Sequence, residues 1–256
     1  MTFVWQAPII FLAAFCAGMI NSVAGGGTLV TFPTLVWLGR DPVLANVTNA
    51  VALWPGSLSA MFGYRRELGD GRRWMLLLGG PSLAGGLLGA YLLLRTPSHT
   101  FAAIVPYLIL FATGLFAVQE SITRVLGADG HANRHPGGAW WIGAAAFQFC
   151  VAVYGGYFGA GIGILMLAAL GLLGLTDIHQ MNGLKNFFAT CINLVAAAYF
   201  VLWGTVSWSD AAVMAVGAIA GGYGGAGLAR RVGRQFVRRT VVIIGVTMAV
   251  SLYFRR

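Results

Sequence analysis

Apolar and polar positions divide the chain into eight apolar stretches, roughly 5–38, 43–64, 74–94, 100–119, 138–174, 186–203, 210–229 and 240–254. Six of them have 15 to 22 residues, about the length of one helical crossing of a hydrocarbon layer some 30 Å thick. The first and fifth do not fit. At 34 and 37 residues, straight helices would run to about 50–55 Å, more than tilt can absorb. Each must bend, break or fold back, and glycines mark the places. Gly25, Gly26 and Gly27 lie in the first; Gly155, Gly156, Gly159, Gly161 and Gly163 lie in the fifth. A glycine inside a helix costs about 1 kcal/mol, so clusters favour a break. The pattern predicts an all-α polytopic membrane protein.

The pattern also repeats. AGGLLGA (84–90) recurs 136 positions later as AGGYGGA (220–226). The same offset aligns Gly25 with Gly161, Gly27 with Gly163, Asp41 with Asp177, Asn46 with Asn182, and Arg95 with Arg231. Agreement at polar as well as glycine positions predicts a duplication. The halves are 1–128 and 129–256, joined by the polar stretch GADGHANRHPGG (127–138).

The links between stretches give the relative orientation of the halves. RRELGDGRR (65–73) has four arginines, and its counterpart WGTVSWSD (203–210) has none. The link after the third stretch carries Arg95 alone, while its counterpart RRVGRQFVRR (230–239) carries five arginines. Positive charge marks the cytoplasmic side, so the halves are expected to face opposite ways, as two inverted repeats. Inversion needs an odd number of crossings per half. That follows if the first and fifth stretches are re-entrant helical hairpins and each half adds three transmembrane helices. Residues 65–73, 120–137 and 230–239 are then cytoplasmic; the N-terminus, Arg40, Arg95, Asp210 and the C-terminus are outside, with Arg255 and Arg256 against the charge rule. The competing scheme, eight full crossings, puts 65–73 and 230–239 on opposite faces.

Composition narrows the function. Hydrophobic residues make up 58% of the 256, charged residues 9%, and the mean hydropathy is +0.79. A soluble domain needs roughly a quarter charged residues. The net charge is +9, but the arginines sit in short links between apolar stretches. Membrane topology accounts for them, and no nucleic-acid partner is expected. The first residues have no basic region or cleavage site, so no removable signal peptide is expected. Cys16, Cys150 and Cys191 all fall inside apolar stretches. No disulfide, metal or cofactor is expected from them, and His131 and His135 share a link without completing a ligand set.

The two breaks are where chemistry is expected. Backbone freed from a helix at membrane depth must be satisfied by protein, water or ligand. Half-helices that meet there point N–H groups and a positive dipole end into the gap. One break per inverted half therefore describes an anion site near the bilayer midplane. Asn21, Ser22 and Thr28 flank Gly25, Gly26 and Gly27, and Asn46 and Asn49 follow three apart on one helical face. In the second half, Gly159, Gly161 and Gly163 are followed by Asn182, Lys185 and Asn186, with Asn182 and Lys185 at the positions of Asn46 and Asn49. Lys185 is the only lysine among 16 basic residues, and a mobile ammonium is a strong yet releasable anion partner. Snorkelling to the interface is the bland alternative for it. The glycines of AGGLLGA and AGGYGGA read instead as close helix packing. Ser57, Gln148, Tyr154 and Asn193 fit a polar lining or interhelical hydrogen bonds equally well. Asp41 and Asp177 read as N-caps, and Trp140, Trp141, Trp203 and Trp208 as interfacial anchors.

AGMINSVAGGGTLVTFPTLVWLG followed by ANVTNAVALWPGSLSAMFGY resembles the sulfite exporter TauE/SafE family, as does GYFGAGIGILMLAALGLLGLTDIHQMNGLKNFFATCINLVAAAYF in the second half. The resemblance covers essentially the whole chain. It implies a multi-pass transporter of the bacterial inner membrane that exports small, often sulfur-containing anions such as sulfite, sulfonates or sulfoacetate. It also implies a first half-site at Asn21, Gly25, Gly26, Gly27 and Thr28 and a second at Gly159, Gly161, Gly163 and Lys185.

The expected function is secondary transport of a small anion by alternating access. The expected partners are that anion and the lipid bilayer, and a homodimer stays open. An anion channel of the same architecture is the first rival. An intramembrane enzyme is disfavoured, since no Ser/His pair, aspartyl dyad or metal cluster falls within the spans.

Overall fold

The computed structural model describes residues 2–23, 26–63, 71–128, 138–173, 175, 177–232 and 234–254. Gly25, His131, His135 and most of the links 65–73 and 127–138 lie outside the described residues, as does the Ser22 side chain. Among the described residues there are ten helices and no strands. They are α1 (Thr2–Val23), α2 (Thr28–Trp37), α3 (Pro42–Gly63), α4 (Arg72–Arg95), α5 (Ser98–Ala128), α6 (Gly138–Tyr157), α7 (Ile162–Leu172), α8 (Ile178–Trp203), α9 (Trp208–Val232) and α10 (Arg234–Phe254).

The two over-long apolar stretches are each broken in two, the first into α1 and α2, the fifth into α6 and α7. Gly155 and Gly156, however, stay helical within α6, and the second break falls at 158–161. Two helices run furthest past their apolar cores. α8 begins at Ile178, before the apolar run from 186, with the Asp177 carbonyl accepting from the Met181 N–H at 2.9 Å. α5 continues through the polar QESITRVLGA to Ala128. Apolar length underestimates both, since helical hydrogen bonding does not stop where hydrophobicity does. Asp41 caps α3, its Oδ1 accepting from the N–H groups of Val43 (2.9 Å) and Leu44 (3.1 Å), ahead of a proline at the first helical position.

Three helices among the described residues are long and apolar enough to cross a membrane: Arg72–Arg95, Ser98–Val118 and Gln180–Trp203. The outward faces are apolar too. Trp5 is 82% exposed, Leu76 76%, Ile142 72% and Phe254 80%. Water would penalise such a surface, and lipid does not.

Helix pairing follows the glycines. α4 lies along α6 with their backbones in contact. A Cβ on Gly85 would meet the Phe149 carbonyl oxygen at 2.6 Å, one on Gly89 would overlap the Val153 carbonyl, and one on Gly156 would overlap the Gly86 carbonyl. α1 lies along α9 in the same manner. A Cβ on Gly217 would meet the Phe11 carbonyl oxygen at 2.6 Å, and those on Gly18 and Gly221 would overlap the carbonyls of Ala218 and Phe15. Contact positions rise together along both members, so each pair is parallel. Gly85, Gly86, Gly89 and Gly221, within the AGGLLGA and AGGYGGA motifs, thus serve close packing. α3 crosses α8, α5 crosses α10, and α4 also packs on α8.

Candidate functional site

At the first break the chain turns back on itself. A Cβ on Gly27 would lie 2.6 Å from the Ala17 carbonyl oxygen, so α2 descends along α1. At the far end, Gln6 Nε2 reaches the Leu38 carbonyl at 3.5 Å. The two ends of the stretch 5–38 are therefore neighbours, as a hairpin requires. The turn needs its glycines: Gly26 sits at φ +103°, with the Phe116 ring 2.9 Å from where a Cβ would be, a backbone region closed to most L-residues. Asn21 Oδ1 accepts from the Gly27 N–H at 2.8 Å. In the first turn of α2, Thr31 Oγ1 lies within hydrogen-bond reach of the Gly27 carbonyl (3.2 Å) and of Asn49 Oδ1 on α3. Asn49 Nδ2 donates to Thr28 Oγ1 at 3.4 Å.

The second break runs from Tyr157 to Ile162. Gly159 and Gly161 have φ of +78° and +75°, and Gly161 occupies the N-cap position of α7 without a side-chain cap. The N–H groups of Phe158 and Gly159 both donate to the Tyr154 carbonyl, at 2.9 and 3.2 Å, and close the end of α6. The Tyr154 hydroxyl donates to the Ala160 carbonyl at 2.6 Å. Asn46 Nδ2, from α3, donates to the Tyr157 carbonyl at 2.9 Å. Tyr157 also pairs its hydroxyl with Thr96 Oγ1 at the end of α4, at 3.2 Å.

The two breaks converge on α5. Gly26 faces Phe116, while a Cβ on Gly161 would lie 3.5 Å from the Ala112 Cα. Ala112 and Phe116 are one helical turn apart on a single face. Phe32 of α2 meets Phe158 of the second break edge-on, ring centroids 5.2 Å apart, and both rings are buried.

The half-buried Lys185 of α8 runs along the N-terminus of α7. Its Cδ is 3.3 Å from where a Gly163 Cβ would be, and its Nζ donates to Asn182 Oδ1 at 3.1 Å. An ammonium and the positive end of a helix share this place, a combination that attracts an anion. Asn186 is half-buried on the next turn, its carbonyl accepting from Thr190 Oγ1 at 2.8 Å.

Asn21, Gly27, Thr28 and Asn49 thus form one cluster, and Gly163, Asn182 and Lys185 another. Asn46 joins the first half to the second break rather than to the first. The four residues left open by the sequence make structural hydrogen bonds. Gln148 Nε2 donates to Ser82 Oγ at 2.9 Å, Asn193 Nδ2 to Ser57 Oγ at 3.3 Å, and Tyr154 to its own turn. Among the described residues, no three His, Cys, Asp or Glu gather closely enough to hold a metal ion.

One feature escaped the sequence. Arg40, between α2 and α3, grips Asp210 in a fork, Nε to Oδ2 at 2.7 Å and Nη2 to Oδ1 at 3.1 Å. Asp210 is fully buried and also accepts from Ser207 Oγ at 2.9 Å. The hydrogen bond to Asp210 raises the Arg40 pKa above its ordinary value. The signal was the S-x-x-D at 207–210, an N-terminal capping pattern; its partner, 170 residues away, was not readable.

A family model described as "Sulfite exporter TauE/SafE" matches residues 10–252. The chain is 31% identical to a probable membrane transporter protein of Haemophilus influenzae, over 96% of this chain and 94% of that protein. It is 29% identical to the probable membrane transporter protein YfcA of Escherichia coli K12, over 96% and 89%. With the probable membrane transporter protein ORF9 of a Sinorhizobium species it shares 27% identity, over 95% and 90%. No solved structure matches.

Proposed function

Because the chain belongs to the sulfite exporter TauE/SafE family, and is a multi-pass membrane transporter of that type, we propose that it exports small, sulfur-containing anions such as sulfite or sulfonates across the bacterial inner membrane by alternating access. The observation that carries this reading is the convergence of two glycine breaks on one face of α5, with the chain's only lysine beside one of them. In this reading Lys185 supplies the charge, the backbone of Gly159, Gly161 and Gly163 lets oxygens approach, and Asn186 and Asn182 give direction. Gly26, Gly27, Thr28, Asn21 and Asn49 form the opposite, uncharged wall, and Asn46 reaches across to the second break.

The repeats 1–128 and 129–256 are inverted in this proposal, each a re-entrant hairpin plus three crossings. Helix directions support it. Asn46, near the start of α3, meets Tyr157, which meets Thr96 at the end of α4. Gln6 meets Leu38 on that same side, four residues before α3 begins. α1 therefore starts where α4 and α6 end, and the first helices of the two halves run in opposite directions.

The test is flux of labelled sulfite in proteoliposomes, with thermal-shift screening of sulfite, sulfate, thiosulfate, sulfonates and carboxylates. Lys185→Ala is expected to abolish flux while the protein stays folded in the membrane, and Gly26→Leu to abolish it by straining the first turn. Normal flux in both variants removes the site assignment. Counterflow is expected; single-channel currents in its place would make the protein a channel.

A further inference from the structure

Duplication by itself suggests that the two halves rock as units. The packing points to different moving parts. Resting on the transporter reading above, we propose that each hairpin moves together with a span of the opposite repeat: α1 and α2 with α9, and α6 and α7 with α4.

The two seams inside these bodies are notched backbone to backbone. Gly18, Gly217 and Gly221 seat carbonyl groups across the α1–α9 seam, and Gly85, Gly89 and Gly156 do so across the α4–α6 seam. A carbonyl lodged where a side chain would otherwise stand blocks sliding, so the helices must separate before they can shift. Close-packed surfaces change by discrete repacking and not by gradual deformation.

Each body is also tied along its length. At the start of α4 and α6, Trp74 packs on Trp141 with centroids 5.3 Å apart, and the Arg73 guanidinium carbon lies 4.6 Å from the Trp141 ring centroid. Midway, Gln148 holds Ser82 at 2.9 Å. At the far end, Tyr157 holds Thr96 at 3.2 Å. In the other body, Gln6 ties α1 to the end of α2, and the Arg40–Asp210 fork ties that end to α9.

The contact between the bodies is of another kind. Where α2 meets the second break, Phe32 and Phe158 touch edge to face. Aromatic edges repack without breaking hydrogen bonds, and the junction sits at the converging breaks. Opening there exposes the proposed site while both seams stay shut.

Reversible cross-linking distinguishes the two schemes. In full-length protein with Cys16, Cys150 and Cys191 replaced by alanine, Arg73→Cys/Trp141→Cys places a cross-link within one body, and Phe32→Cys/Phe158→Cys places one between bodies. A short bis-methanethiosulfonate closes each pair, and dithiothreitol reopens it. Labelled sulfite flux in proteoliposomes is the readout. The first pair is expected to keep at least half its flux when closed. The second is expected to lose more than tenfold and to recover on reduction. A reversible stop in the first pair, which joins the two halves, overturns the proposal in favour of rocking halves; undiminished flux in the second also overturns it. Absence of flux in the unlinked parent sinks the transporter reading instead. Spin labels on the same pairs then decide the question of bodies. Dipolar broadening that is unchanged between detergent and liposomes for the first pair and changed for the second supports the exchanged bodies, and the reverse overturns them.

Discussion

The two glycine breaks occupy matching places in the two halves but differ in charge. At the first, Asn49 on α3 lies against the opening turn of α2, held by Thr28 and Thr31. At the second, Lys185 on α8 lies against the opening turn of α7, along Gly163. Asn49 and Lys185 align at the offset of 136. One amide has become one ammonium, and the hydroxyl-bearing pair Thr28 and Thr31 has become the apolar pair Ile164 and Leu167. The first break is a braced neutral wall. The second has a cation beside a helix N-terminus, an arrangement that favours a negative partner. In the proposed site, therefore, only one of the two walls carries a charge.

The largest effect is expected from erasing the difference. Lys185→Asn copies the first break into the second. It should weaken anion binding by about 2–5 kcal/mol, roughly 30-fold or more, read as a lost thermal shift with sulfite. Retained affinity would mean that the two walls are equivalent. Next comes the base of the first hairpin. Arg40→Gln leaves Asp210 buried and unpaired, at a cost of about 3–5 kcal/mol, seen as a lower melting temperature in detergent. In the second half the matching positions in the sequence hold Thr176 and Trp74, residue types without a charge. Asn49→Ala should then loosen α2 by about 1–3 kcal/mol and lower the melting temperature without removing the sulfite-induced shift; loss of that shift would make Asn49 a ligand and the first wall as active as the second. A smaller loss is expected at Gly161→Ala, where φ of +75° costs an alanine about 1–2 kcal/mol. The smallest is at Gly114→Ala, with nothing within 4 Å of its Cβ position, which should leave the melting temperature unchanged.

Much of this could be read along the chain. The number of apolar stretches, the impossibility of straight helices at 5–38 and 138–174, the Asp41 cap and the packing role of AGGLLGA all follow from local length, periodicity and residue type. The limits of α5 and α8 did not, because helical hydrogen bonding, once started, does not stop where hydrophobicity does. Gly155 and Gly156 looked like part of the second break for a related reason. Glycine signals either a turn or a close approach, and only the neighbours decide which: Gly86 on α4 for Gly156, Ile162 and Ile192 for Gly155.

What the sequence determined alone was therefore set by one dimension: how much apolar chain must be accommodated in a layer of fixed thickness, and where backbone lacking a Cβ allows it to turn. Tertiary structure decided everything that depends on partners distant in sequence. It brought Gly26 and Gly161 to adjacent turns of α5, gave Asn46 to Tyr157 and Arg40 to Asp210, and laid α1 on α9 and α4 on α6. Those choices follow from matching carbonyls to glycine notches and charges to counter-charges across the assembled surface, and complementarity of that kind exists only once both surfaces have formed.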